Sequence, residues 1–115
     1  PDGAVASGPD TSALRTGQGD FDATGQIPCA QSVGQPMTQC NFGVARAGGG
    51  DATVVITIPD GMTRAIFFRR GIPIGADTSE ADGYGEFRAE KESDLNLIRV
   101  GNERYEIPDA VVLGG

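Results

Sequence analysis

Short apolar runs separated by tight turns dominate the last two thirds of the sequence. The clearest run covers residues 52–58, where Val54, Ile56 and Ile58 alternate with other residues and therefore share one face of an extended strand. The run is β-branched almost throughout, which favours a strand over a helix. Pro-Asp-Gly at 59–61 then supplies the residues of a short hairpin loop.

The same alternation of strand and turn continues along the chain and predicts its fold class. Turns this short join only antiparallel strands, because parallel neighbours need a long crossover. We therefore predict an all-β fold, a small antiparallel meander of six to seven short strands that closes into a barrel or sandwich. The predicted strands cover residues 42–47, 52–58, 63–70, 72–76, 86–91, 95–100 and 104–107, and residues 110–113 are a last strand or a short helical turn.

The apolar residues of these runs predict the core. The predicted core consists of Phe42, Val44, Val54, Ile56, Ile58, Ile66, Phe68, Ile72, Phe87, Leu95, Leu97, Ile107 and Val112.

Six arginines also fall in the runs, and the sequence leaves two interpretations of them open: an anion-binding face, or outward charges that protect strand edges and pair with glutamates. They are Arg64, Arg69, Arg70, Arg88, Arg99 and Arg104.

The first part of the chain has a different composition. Residues 1–24 are mainly Gly, Ser, Asp, Thr and Ala, and their apolar residues follow no period. Such a segment buries too little apolar surface to offset its conformational entropy. We predict a disordered, flexible tail over 1–24 and one disulfide-stapled β domain over 25–115. The start at Pro1 suits a mature product from which a signal peptide or lipid anchor has been removed, and it suits an artificially trimmed chain equally well.

Composition excludes several classes of function. The chain has no His, so Ser-His-Asp and Cys-His catalysis and His-containing zinc sites are excluded. Its net charge of −7 disfavours nucleic acid and favours a cationic protein as partner. No run approaches the roughly 20 apolar residues of a membrane span.

The two cysteines, Cys29 and Cys40, could form a metal site, a redox pair or a structural staple. Two thiols without His cannot supply four soft ligands, and a thioredoxin-like pair needs Cys-x-x-Cys at a helix start. The spacing therefore favours a structural disulfide, which indicates an oxidising compartment, either periplasmic or secreted.

Residues 30–39 between the cysteines form what we call the staple loop. A loop closed by a disulfide loses less entropy when it binds, and Val33, Gln35, Met37 and Gln39 are its candidate partner-binding residues. The alternative is that the loop only anchors the first ordered segment onto the β domain.

A second loop carries the acidic residues Asp77, Glu80, Asp82 and Glu86. Their spacing does not match an EF-hand, because the glycine comes late and the terminal Glu early. We interpret the segment as an ordinary acidic turn and predict no metal and no cofactor. Glycosidase-like carboxylate pairs need a cleft that so small a domain rarely offers, so no enzyme activity is predicted.

Five segments of the sequence carry a resemblance: Ile27-Pro-Cys29, residues 35–46 (QPMTQCNFGVAR), Ile66-Phe-Phe68, Ala76-Asp77 and residues 97–111 (LIRVGNERYEIPDAV). Through them about residues 20–115, nearly all of the predicted ordered part, resembles a family of small exported proteins, of unassigned function, from Gram-negative and chiefly alphaproteobacterial species. The resemblance implies a signal peptide and export, supports the disulfide, and brings no catalytic residues.

The sequence thus predicts an exported, non-enzymatic binding or interaction module whose ligand is left open. The alternative is an inhibitor of a cationic cell-wall hydrolase of the lysozyme type, because membrane-bound and periplasmic lysozyme inhibitors are also small exported β-barrels. Their Ser-Gly-x-x-Tyr motif is not matched by Gly83-Tyr84 or by residues 103–105.

Overall fold

The computed structural model describes residues 9–78 and 86–114. Its elements in chain order are α1 (Pro9–Gly17), β1 (Ala23–Ala30), β2 (Thr38–Gly48), β3 (Asp51–Thr57), β4 (Thr63–Arg69), β5 (Ile72–Ala76), β6 (Phe87–Glu92), β7 (Leu95–Val100), β8 (Glu103–Pro108) and α2 (Asp109–Leu113).

The strands form one antiparallel sheet that curls into a nearly closed barrel. Their order is β5-β4-β3-β2-β1-β8-β7-β6, so strands that are consecutive in sequence pair with each other except β5 and β6, and β1 pairs with β8. The β1–β8 ladder is short and consists of Cys29 opposite Tyr105 and Ala30 opposite Arg104. β5 and β6 lie at the two ends of this order and form the open seam of the barrel.

This architecture confirms the predicted all-β meander and shows that it is a barrel. It has eight strands rather than six or seven, because residues 23–30 form β1, where the sequence predicted the end of a tail and the start of a staple. The last apolar run, 109–113, is the short helix α2 and places Val112 in the core.

The barrel interior contains most of the predicted core, with one strand reversed. Leu95 and Leu97 on β7 are only half-buried, whereas Asn96 and Ile98 are buried. Ile72, also predicted in the core, is 62% exposed on β5. The buried cluster comprises Ile27, Cys29, Cys40, Phe42, Val44, Ala52, Val54, Ile56, Ile66, Phe68, Ile98, Val100, Tyr105, Ile107 and Val112.

The N-terminal segment differs from the predicted flexible tail over 1–24. Residues 1–8 lie outside the described residues, but residues 9–17 form α1, which packs against β2 and β3. Ser12 is buried, and its hydroxyl is 2.6 Å from the Thr53 hydroxyl. Because strands alternate and Val54 faces the interior, Thr53 lies on the outer surface of the barrel. Helix α1 therefore covers this surface through a polar contact. A search for a helical period of apolar residues in the sequence does not detect such a contact.

Arg15 at the end of α1 ties the helix to the barrel. Its guanidinium donates to both carboxylate oxygens of Asp22, at 2.8 and 3.0 Å, and to the carbonyl of Arg46 at 3.0 Å. The hydrogen bond from Arg15, followed by that from the Arg46 backbone N–H, lowers the pKa of Asp22 to about 2. The segment between α1 and β1 is thus fixed by charged hydrogen bonds rather than by apolar burial.

We expect Ser12→Ala to reduce the free energy of unfolding by about 1–2 kcal/mol, because Thr53 loses a buried hydroxyl partner. Leu14→Ala is the matched control on the same helix, since the Leu14 side chain is 64% exposed and its loss should change stability by less than about 0.5 kcal/mol. Urea unfolding followed by circular dichroism measures both variants. Equal stability of the two would show that α1 does not dock through Ser12.

Candidate functional site

The disulfide between Cys29 and Cys40 is present and joins β1 to β2. The two Cα atoms are 5.9 Å apart, and both residues are buried in the barrel interior. The sequence separation is 11, so the bond closes a short loop at the end of the β1–β2 hairpin. The structural staple predicted from the spacing is therefore confirmed.

Hydrogen bonds from within the chain hold the staple loop in one conformation. The side-chain oxygen of Gln35 accepts from the backbone N–H groups of Gln31, at 2.8 Å, and Ser32, at 3.1 Å. From β8, the Arg104 guanidinium donates to the carbonyl oxygens of Gln35 and Ser32. The sequence predicted Gln35 as a candidate partner-binding residue. In the structure its side chain makes hydrogen bonds within the staple loop and thereby orders the loop.

The other candidate residues of the loop differ in their exposure. Val33 is 70% exposed at the tip, between two segments that the hydrogen bonds fix. Met37 is half-buried and lines a groove on the outer face of the barrel. Gln39 is exposed on β2, opposite Pro28. Val33 and Met37 are therefore the candidate residues whose apolar side chains a partner surface can contact.

The groove beside Met37 runs over the outer face of β6, β7 and β8 and has a volume of about 320 Å³. Arg88 lies directly opposite Arg99, which lies directly opposite Arg104. We call these three residues the arginine row. The groove is lined by Met37, Arg88, Ala89, Glu90, Leu97, Ile98, Arg99, Arg104, Tyr105 and Glu106.

The arginine row could have been predicted from the two hairpin turns. A two-residue turn fixes the register of the strands that it joins, because the flanking residues then pair directly. Turns at 93–94 and at 101–102 place Arg88 opposite Arg99 and Arg99 opposite Arg104. The predicted strands, 86–91, 95–100 and 104–107, left three residues at each turn and therefore did not fix this register.

A buried polar network crosses the barrel interior from β4 to β8. Arg64 makes two parallel hydrogen bonds to Glu103, Nε to Oε1 and Nη2 to Oε2, each 2.8 Å long. Arg64 also donates to Asp77 at 2.9 Å, and the Tyr105 hydroxyl donates to Glu103 Oε1 at 2.7 Å. The side chains of Arg64 and Glu103 are only 13% and 6% exposed. The sequence placed Arg64 among surface charges and missed this network.

The network shifts the pKa values of Arg64 and Tyr105. The hydrogen bonds with Glu103 raise the pKa of Arg64 above its ordinary value. Burial raises the pKa of Tyr105 above its ordinary value, and its hydrogen bond to Glu103 adds to the rise. Both shifts extend to higher pH the range in which Arg64 is charged and Tyr105 is protonated, so the ion pair and the hydrogen bond to Glu103 both persist there.

The predicted acidic loop is only partly described. Glu80 and Asp82 lie outside the described residues. Asp77 accepts from Arg64 and from the Ala65 backbone N–H, and Glu86 is exposed and pairs with Arg88 at 3.1 Å. Each of these two carboxylates thus has a cation partner. Within residues 9–78 and 86–114 the structure contains no group of three or more acidic or Cys side chains that could hold a metal ion.

Comparisons with known proteins give no relative on which to base a function. No family model, no curated protein and no solved structure matches the chain. In the described part of the chain, no helix has the length and apolar character needed to cross a membrane.

Proposed function

We propose that this chain is an exported, non-enzymatic binding module, periplasmic or secreted, whose contact surface is the staple loop and the groove beside it. The observation that carries the proposal is the fixed conformation of a loop with an exposed apolar tip. The disulfide closes its ends, Arg104 and Gln35 hold its middle, and Val33 remains exposed.

Rigidity of this kind favours binding over a purely structural role. A loop already held in one conformation loses little entropy when a partner binds. Anchoring the hairpin would not require an exposed valine at the tip, because the disulfide and Arg104 already supply the anchor. Val33 and Met37 then give the partner its apolar contacts.

Two further features support the proposal. A buried disulfide between barrel strands is typical of proteins that mature in an oxidising compartment. The buried titratable groups Arg64, Glu103 and Tyr105 bond to one another, which supports a structural use of these groups over a catalytic one.

Affinity capture with matched variants tests the proposal. The immobilised protein is incubated with periplasmic extract of a Gram-negative host that produces it, and the captured protein is identified by mass spectrometry and then purified. We expect Val33→Ser to weaken binding of this purified partner by about five- to thirtyfold, since a central apolar anchor contributes on the order of 1–2 kcal/mol.

Met62→Ser is the control for that experiment. Met62 is 66% exposed on the loop between β3 and β4, so the substitution removes a comparable apolar side chain from a different surface. Binding that falls equally in the Val33 and Met62 variants, or in neither, would contradict a contact surface at the staple loop.

A further inference from the structure

The arginine row is an unusual arrangement in a chain of net charge −7. Only 9 of the 115 residues are Lys or Arg, and three of them face one another across three adjacent strands. Like charges directly opposite in a sheet destabilise it. The local charge of this row is opposite in sign to that of the whole chain, so its partner should differ from the cationic protein that the net charge favours.

The guanidinium groups of the row have hydrogen-bonding capacity left over. Among the described residues Arg88 pairs with Glu86 alone, and both side chains are at least two-thirds exposed, so that the pair is weak. Arg99 is exposed and makes no ion pair with any residue of the described ranges. In the same ranges the Nε of Arg104 has no hydrogen-bond partner, but it is buried, and the Nη2 of Arg104 holds the staple loop. The exposed donors of Arg88 and Arg99 can thus bind an added anion.

The neighbouring residues restrict which anion fits. The next row along the same strands consists of Glu90, Leu97 and Glu106, with Leu97 half-buried in the middle. Two carboxylates in the next row, roughly 7–8 Å away, oppose phosphate, which concentrates its charge on one group, more than a carboxylate group, which carries a single charge. Leu97 and Met37 also offer apolar contacts to the carbon chain that carries the carboxylate.

We propose that the arginine row binds carboxylates on an acidic segment of the partner protein, whose aliphatic atoms contact Leu97 and Met37. The proposal rests on the proposed function and names the partner's chemistry. Adjacent strands are about 4.8 Å apart, and acidic side chains one helical turn apart have Cβ atoms about 5–6 Å apart, so two carboxylates match two neighbouring arginines. Arg104 contacts both the bound acidic segment and the staple loop. The segment therefore also contacts the surface to which Val33 of the staple loop belongs.

Glutarate is a minimal probe for this site, because its two carboxylates are separated by three methylene groups. NMR spectra of the arginine Nε–Hε groups are recorded at low salt while glutarate is added to the intact protein. We expect the signals of Arg88 and Arg99, which are exposed, to shift and to saturate in the millimolar range, as for a few exposed charge-assisted hydrogen bonds. Glutaramide, which has the same shape without the charge, should cause no shift.

Two variants that lose the same charge distinguish binding at the arginine row from general electrostatic attraction to any exposed arginine. Arg99→Gln should weaken glutarate binding by at least about fivefold. Arg69→Gln, which removes an exposed arginine from β4 outside the groove, should leave the binding unchanged. Since the Arg99 variant also relieves like-charge contact, we expect its melting temperature to be equal to or higher than that of the unmodified protein.

Three outcomes would overturn the proposal: no saturable shift with glutarate, an equal effect of the two substitutions, or tighter binding of inorganic phosphate than of glutarate at the same ionic strength. These outcomes are distinct from failure of the proposed function. Glutarate binding does not involve Val33, so the capture experiment with Val33→Ser can succeed when the glutarate titration fails, and the reverse also holds.

Discussion

Arg64→Met is expected to reduce the free energy of unfolding by about 3–5 kcal/mol, because it leaves the buried carboxylate of Glu103 without its bidentate cation. Both side chains are almost fully buried, and the pair joins β4 to β8 on opposite sides of the barrel. Met keeps most of the aliphatic volume of Arg, so the loss reports the charge rather than a cavity. Urea unfolding at neutral pH measures it.

Two further variants test the cause of this loss. Arg69→Met changes an exposed arginine on the same strand and should alter stability by less than about 0.5 kcal/mol. Adding Glu103→Gln to Arg64→Met removes the buried charge that has lost Arg64 while keeping an acceptor for the Tyr105 hydroxyl, and we expect it to recover part of the stability. A loss below about 1 kcal/mol for Arg64→Met alone would show that the ion pair does not support the barrel.

The position of Arg64 illustrates what strand periodicity can and cannot predict. Residues 63–69 have apolar side chains on both faces around Phe67, so the sequence leaves the inward face undecided. In the structure Ile66 and Phe68 face inward, and Arg64, two residues before Ile66, must face the same way. A charged residue at an inward position needs a partner across the barrel, and Glu103, which supplies it, is 39 residues away.

Turn chemistry predicted more of the fold than strand periodicity did. Tight turns predicted neighbouring antiparallel strands, and the ladders β2–β3, β3–β4, β4–β5, β6–β7 and β7–β8 confirm this pairing. The closure between β1 and β8 was not predictable in the same way, because the two strands are separated by most of the chain and share only two residue pairs. The face of β7 was assigned wrongly because Leu95 and Leu97 are more apolar than Asn96, which is buried through its hydrogen bond to the Ile107 carbonyl.

Helix α1 was missed because its apolar residues have no helical period. Its docking depends on Ser12 and Arg15, polar residues whose partners lie on β3 and in the segment before β1. The disulfide was predicted correctly from an argument of exclusion, since the absence of His and the wrong spacing left only a structural role for the two cysteines.

Replacing both cysteines by alanine is expected to lower the free energy of unfolding by about 2–3 kcal/mol, and the melting temperature by about 8–20 °C. The disulfide closes a loop with a sequence separation of 11, so its removal gives the unfolded chain more conformational freedom. Both sulfur atoms belong to residues buried in the core, so the alanine variant also loses some apolar contact. Thermal unfolding followed by circular dichroism measures the change.

Reduction of the unmodified protein separates the cross-link from the packing, because the thiols of Cys29 and Cys40 still fill the core. If loop closure is the main effect, the reduced protein should lose nearly as much stability as the double variant. The staple loop should keep its conformation at temperatures below unfolding, since Arg104 and Gln35 hold it independently of the disulfide. An unchanged melting temperature, with both thiols shown to be free by labelling, would mean that the cross-link does not stabilise the barrel.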